Sequence, residues 1–269
     1  MVVILIYFIG AIVFAAILWA VYQKYFGGTM NNKVEFEIRA VAFIDVLGFK
    51  SVVAEAESEQ KVFSELESLI TILSTAVPNL DGSVDQNVPS ELIPKHIYIS
   101  DCIILSAPLT SDKRKSYNGL SILVMRVIQL THILLDKGYL IRGGISIGNV
   151  WHTESNIVGV AYQEAYMIEQ KVVVPCVELS STAIDHWNKS EYSSNSMCLE
   201  YCDKVIVNGL HDFYIQDESS QGTTATYEGY LQTVENNVER ALSEDVRYKW
   251  WWFGQFIKRE IERNPYNVD

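Results

Sequence analysis

The sequence predicts an α+β fold: a sheet layered with helices, preceded by a membrane-spanning helix and followed by a helical extension. Three observations carry that prediction. Residues 2–22, VVILIYFIGAIVFAAILWAVY, contain no charged side chain. Residues 36–180 then alternate short apolar runs with longer segments whose apolar residues recur every three or four positions, as strands and amphipathic helices in succession do. The last segment, from Leu231 to about Arg263, is again helical in period.

At about 1.5 Å per residue, the apolar run can cross a hydrocarbon core of about 30 Å. A secretory signal would show a basic n-region, a shorter apolar centre and a small-residue cleavage site. A retained single-pass helix over residues 1–23 is therefore expected, with a cleaved signal or a buried hairpin as alternatives. The charges that follow, Lys24, Lys33 and Arg39 among Glu35 and Glu37, place the C-terminal side in the cytoplasm by their Lys/Arg bias. FGGTMNNK lies in a linker over residues 24–35.

EFEIRAVAFIDVL reads as the first core strand, and SVVAEAESEQKVFSELESLITILSTAV as one long helix or two with a break near Ser58. PNLDGSVDQNVPSELIP is loop-like. KHIYISDCIILSAP is apolar on both sides of Ser100-Asp101, as a central hairpin or sheet strand is. A helix from about Tyr117 to Lys137 ends at Gly138, a C-cap glycine. YLIRGGISIGNVWH is a strand interrupted by three glycines, AYQEAYMIEQK a short helix after Gly159, and VVVPCVEL a strand. The order describes a layer with helices on one face, a domain over 36–190 and an extension over 191–269. KVIVNGLHDFYIQ reads as a strand with a bulge. Trp250, Trp251 and Trp252 cannot share one helix face; they pack between subunits, lie against a membrane interface or, most simply, pack internally.

The chain has 269 residues, 49% of them hydrophobic, enough for one main domain with appendages. Its formal net charge of -12 argues against a nucleic-acid partner, which needs clustered Lys and Arg. A nucleotide pocket stays open, because a metal ion supplies positive charge locally. Cys102 and Cys176 look like core residues, and CLEYC (Cys198, Cys202) lacks a second ligand pair. His96, His132, His152, His186 and His211 are scattered and read mostly as surface or interfacial residues.

Asp45 is the only acid in AVAFIDVLGFKSVV, and Asp101 the only one in KHIYISDCIILSAP. A carboxylate in an apolar setting needs a partner, hydrogen bonds or a metal. If the two strands are neighbours, both acids point at one site and invite a divalent cation; the plainer reading is that each caps a turn. Gly48 permits a tight strand-to-helix turn whose backbone N–H groups, through Phe49 and Lys50, can face phosphate oxygens. Arg142 adds charge or makes a surface salt bridge. Gly143-Gly144 marks a bulge or lets another chain or a ligand approach closely.

FIDVLGF resembles the metal-binding strand of the class III nucleotidyl cyclases, whose pattern is F-x-D-[IV]-x-G-F. YISDCIILSAP resembles their second metal hairpin. RGGISIGNVW and GVAYQEAYMIE are similar to R-x-G-[IV]-x-x-G-x-V and G-x-x-[VY]-N-x-A-x-R-L-E. The resemblance runs from about Arg39 to Leu179. It implies a ferredoxin-like, palm-type cyclase core with Asp45, the Val46 carbonyl and Asp101 as metal ligands for two Mg²⁺ or Mn²⁺. It further implies a head-to-tail homodimer in which Arg142, Asn156 and Gln163 act on substrate held by the partner's aspartates. Gln163 stands where the family has a ribose-orienting Asn. Met167 replaces a phosphate-stabilising Arg, for which Arg142 or Lys171 would substitute. Ile97 and Asn156 occupy the base-reading positions. The combination looks most like the bacterial pyrimidine cyclases of antiphage signalling, which implies cyclisation of UTP or CTP and a separate cyclic-nucleotide-binding effector. The alternatives are a degenerate, membrane-anchored nucleotide-binding regulator, an adenylate or guanylate cyclase, and a membrane-anchored interaction protein.

Overall fold

The computed structural model describes residues 33–112, 117–215 and 220–263. Strand β1, Glu37–Leu47, is the hub. It pairs antiparallel with β3, Cys102–Pro108, on one side and with β4, Leu140–His152, on the other. β2, Lys95–Ile99, forms a hairpin with β3, and the short β5, Ile157–Gly159, folds back on β4. β6, Val177–Leu179, lies parallel to β4. β7, Cys198–Tyr201, and β8, Lys204–Val207, complete the order β2-β3-β1-β4-β6-β8-β7.

Alternation along β1 decides what each face carries. Ala40, Ala42, Ile44 and Val46 face one core, while Val41 and Phe43 face another. The helices accordingly cover both faces, not one as expected. α2, Gln60–Gly82, α3, Gly119–Leu135, and α5, Ser181–Trp187, lie over the first. α4, Val160–Lys171, lies over the second through Ala161 and Ala165. A strand apolar on alternate and intervening positions alike must be covered on both sides. Each fully buried aliphatic side chain such as Ile44 contributes about 1.5–3 kcal/mol.

The glycine strand serves this packing. β4 is continuous, and a Cβ at Gly144 would lie 2.4 Å from the Ala165 carbonyl oxygen and 2.6 Å from Ile168 Cβ. What approaches closely there is helix α4 of the same chain, not a ligand or a second chain. α1, Phe49–Ser58, and α2 are separate helices, broken at the extended Glu59. α2 also continues through Pro78 to Gly82, where a loop was expected. Proline costs that helix one N–H, but Val77 and Leu80 are buried and Asp81 pairs with Arg126 at 2.8 Å, which holds the extra turn. α3 starts at Asn118, whose side chain accepts from the Ser121 N–H.

Beyond α5, β7 and β8 form a hairpin that extends the same sheet. The C-terminal helical segment is two helices, α6, Ser220–Arg240, and α7, Glu244–Arg263. They pack on Leu135, Leu140 and Ile206. Trp250 and Trp252 are buried and Trp251 is 51% exposed, as a 100° step between neighbours requires. His132 and His152 are core residues, contrary to the surface expectation.

The predicted membrane span over 2–22, with most of its linker, lies outside the described residues. Among the described residues no helix is long and apolar enough to cross a membrane. The most apolar, α3, has 17 residues and is buried against the sheet; α7 is lined by charge. The single-pass placement, the membrane partner and the assignment of residues 36–190 to a cytoplasmic face find no support in the described helices and are withdrawn, and the α+β fold stands without them.

Candidate functional site

β1 ends in a row of polar side chains. The register sets Asp45 opposite Cys102 on β3 and opposite Arg142 on β4, all on the α4 face. Asp101 sits in the β2–β3 turn, after Ser100 with a left-handed φ of 58°. The Asp101 carbonyl accepts from the Val46 N–H at 3.1 Å, which braces the turn against the end of β1. Donor atoms of Asp45, Asp101 and Cys102 thus come within 4.8 Å of one another.

Arg142 closes the row with three separate anchors. Its Nε donates to Asp45 Oδ2 at 3.1 Å and its Nη1 to the Val172 carbonyl at 3.4 Å. Its Nη2 lies 2.8 Å from Glu169 Oε1. Glu169 comes from α4 with only 2% of its side chain exposed. Burial raises the Asp45 pKa; Glu169 and Asp101 push the same way, and Arg142 opposes them. The Cys102 thiol is pushed up to about 12, first by burial and then by Asp101, Asp45 and Glu169. It is protonated near neutrality and sits 3.9 Å from Asp45 Oδ1 and 3.8 Å from Asp101 Oδ1.

Two carboxylates, Asp45 and Glu169, flank one guanidinium and a third, Asp101, lies beside Asp45, which leaves an excess of negative charge at a partly open sheet end. That excess and the carboxylate donors fit a hard divalent cation such as Mg²⁺ or Mn²⁺. Among the described residues the geometry provides one candidate cluster rather than two separate ion sites. Val46 buries its side chain in the opposite core, leaving only its backbone on this side. Gly48 follows at φ 91°, a left-handed conformation that favours glycine, and opens α1 without any side-chain cap. Phe49 is buried and Lys50 is exposed.

The remaining predicted residues are placed elsewhere. Ile97 is packed in the second core with Val41, Phe43 and Ile104. Asn156 is exposed in the β4–β5 turn, and β4 alone spans about 33 Å between Arg142 and His152. Gln163 and Met167 are exposed on α4, and Lys171 on its last turn. Arg142 meets the Asp45 of its own chain, because the β1–β4 register sets them side by side. Glu169 and Cys102 were missed. The signal for Glu169 was its place at the end of the buried stripe Ala161, Ala165, Glu169. Cys102 pairs with Asp45 only through tertiary register.

No family model matches the chain, and no curated protein matches it. Among solved structures, the chain is similar to the catalytic core of a rhodopsin-guanylyl cyclase with converted specificity in complex with ATPαS. Identity is 14% and the TM-score 0.43, over 64% of this chain and 95% of that one.

Proposed function

We propose that the chain binds a nucleoside triphosphate through a divalent cation at Asp45 and Asp101 and cyclises it with release of pyrophosphate. One observation supports the reading above others: two carboxylates, Asp45 near the end of β1 and Asp101 in the β2–β3 turn, converge at one sheet end. A cation bound there would polarise phosphate oxygens and lower the pKa of the attacking hydroxyl. Asp45 and Asp101 would hold it, and the uncapped amides after Gly48 would face phosphate oxygens. Arg142 would add fixed positive charge beside Asp45. Under this reading the chain contributes positioning and electrostatics, with no covalent step of its own.

The narrower form of the proposal, a pyrimidine triphosphate converted in antiphage signalling, is supported by the sequence resemblance. A second cation belongs to the proposal only with the nucleotide's phosphates as further ligands. The deciding assay incubates the protein with Mn²⁺ and each of ATP, GTP, UTP and CTP and identifies products by mass spectrometry. A 3′,5′-cyclic product, lost in Asp45→Asn and Asp101→Asn, supports the reading; equal turnover by both variants overturns it. The second reading is metal-dependent nucleotide binding without conversion. Its support is Met167, half exposed where the resemblance expects an arginine, together with the engagement of all three Arg142 nitrogens. Nucleotide binding that requires Mn²⁺, with no product from any of the four, selects it.

A further inference from the structure

We propose that Glu169 is a positioning residue that holds Arg142 back from full pairing with Asp45, so that Asp45 stays available to a divalent cation. This rests on the reading of Asp45 and Asp101 as cation ligands. The guanidinium is shared: it sits closer to Glu169, at 2.8 Å, than to Asp45, at 3.1 Å. Asp45 receives one N–H, from Nε, and not a two-pronged fork. Without Glu169, Nη2 would lose its acid partner, and the planar fork could close on Asp45 in the bidentate geometry that arginine and carboxylate prefer. A carboxylate so neutralised is a poor cation ligand.

Packing does not account for an acid at this position. Glu169 ends a stripe whose other buried members are Ala161 and Ala165, where an apolar side chain would serve the helix–sheet contact equally well. A buried ion pair rarely stabilises a fold more than well-packed apolar residues do. Its Oε1 has no hydrogen bond of good geometry beyond the ion pair with Arg142, and its Oε2 accepts from Gln170 Nε2. The acid is thus committed to Arg142, and its value lies in where it leaves that guanidinium.

The test measures Mn²⁺ affinity of the purified full chain, by electron paramagnetic resonance of free Mn²⁺, in a double-mutant cycle of Glu169→Gln and Arg142→Gln. Glu169→Gln should weaken Mn²⁺ binding roughly tenfold when Arg142 is present. In the Arg142→Gln background the same change should cost at most about threefold, the direct loss of one nearby charge. Arg142→Gln alone should tighten binding. An equal loss in both backgrounds, or no loss in either, overturns the proposal. Should Glu169→Gln fail to fold, Glu169→Asp, one methylene shorter, gives the same comparison. Asp45→Asn and Asp101→Asn are carried in parallel. Mn²⁺ binding indifferent to both removes the ligand reading itself, whereas binding that needs them but ignores Glu169 removes only the positioning role.

Discussion

Two arginines occupy opposite ends of the same sheet face, and they are treated differently. At the start of β1, Arg39 is 5% exposed. It donates to Ser106 Oγ at 2.9 Å and to the Ser106 carbonyl at 3.0 Å, and pairs with exposed Glu37 at 2.8 Å. Ser106 Oγ lies 2.6 Å from His152 Nδ1, and the His152 pKa is lowered to about 4 by burial and by Arg39, Lys95 and His96. Charge there is balanced, with one acid against one guanidinium and mostly neutral partners. At the far end, Arg142 is one cation between two carboxylates, with a third, Asp101, beside Asp45, and 25% of its side chain is exposed. A closed and balanced network serves the fold, whereas an open one with excess charge of one sign has capacity left for a ligand.

Breaking the closed end should have the larger effect on stability. Arg39→Lys should cost about 2 kcal/mol, because Ser106 and the strand edge lose a forked charged donor that an ammonium does not replace; Arg142→Lys, which keeps a cation beside the buried Glu169 carboxylate, should cost under about 1 kcal/mol. Urea unfolding of both variants checks this, and equal losses would erase the distinction. A pH titration sharpens it next. His152 has a folded pKa depressed below its usual 6.5, so the unfolded chain binds the extra proton first. Stability is full above about pH 6.5 and falls as pH drops toward 4, by about 2 kcal/mol for this group. His132, lowered to about 4 by burial, loses stability over the same window. His152→Asn should therefore flatten the thermal-unfolding profile between pH 7 and 5 in part, not wholly.

At the open end the effects move from stability to binding. Asp45→Asn should lower Mn²⁺ affinity at least about tenfold, or about 1.4 kcal/mol. It should leave the melting temperature unchanged or raised. The sign follows from the raised Asp45 pKa: the stability linked to its proton is full at low pH and is lost as pH rises through the folded value. The ionised form is thus a cost at neutrality that asparagine removes. Calorimetry of both properties on one sample checks the pair of outcomes. The smallest effect belongs to Cys102→Ser. A thiol held protonated is not a ligand for a hard cation, so Mn²⁺ affinity should stay within about twofold by the same resonance measurement.

Much of this was legible in the sequence by itself. Val41, Phe43 and Asp45 alternate with Ala42 and Ile44 in a strand whose period is local, and Gly48 ends it in a turn that needs a left-handed residue. The hairpin carrying Asp101 closes over two residues, Ser100 and Asp101, and α3 follows from its apolar recurrence and the left-handed Gly138 after it. Local periodicity and turn chemistry act over a few residues, so sequence alone determined these elements and the two aspartates. Other features were decided by tertiary structure alone. Cover on both faces of β1, the extra turn of α2 past Pro78, burial of His152 and the meeting of Cys102, Arg142 and Glu169 with Asp45 depend on pairings between distant segments. Arg142 is 97 residues from Asp45. A shift of one position in the β1–β4 register would turn its guanidinium to the opposite face. Only the packed sheet, with α4 laid against Gly144, selects the register that brings those charges together.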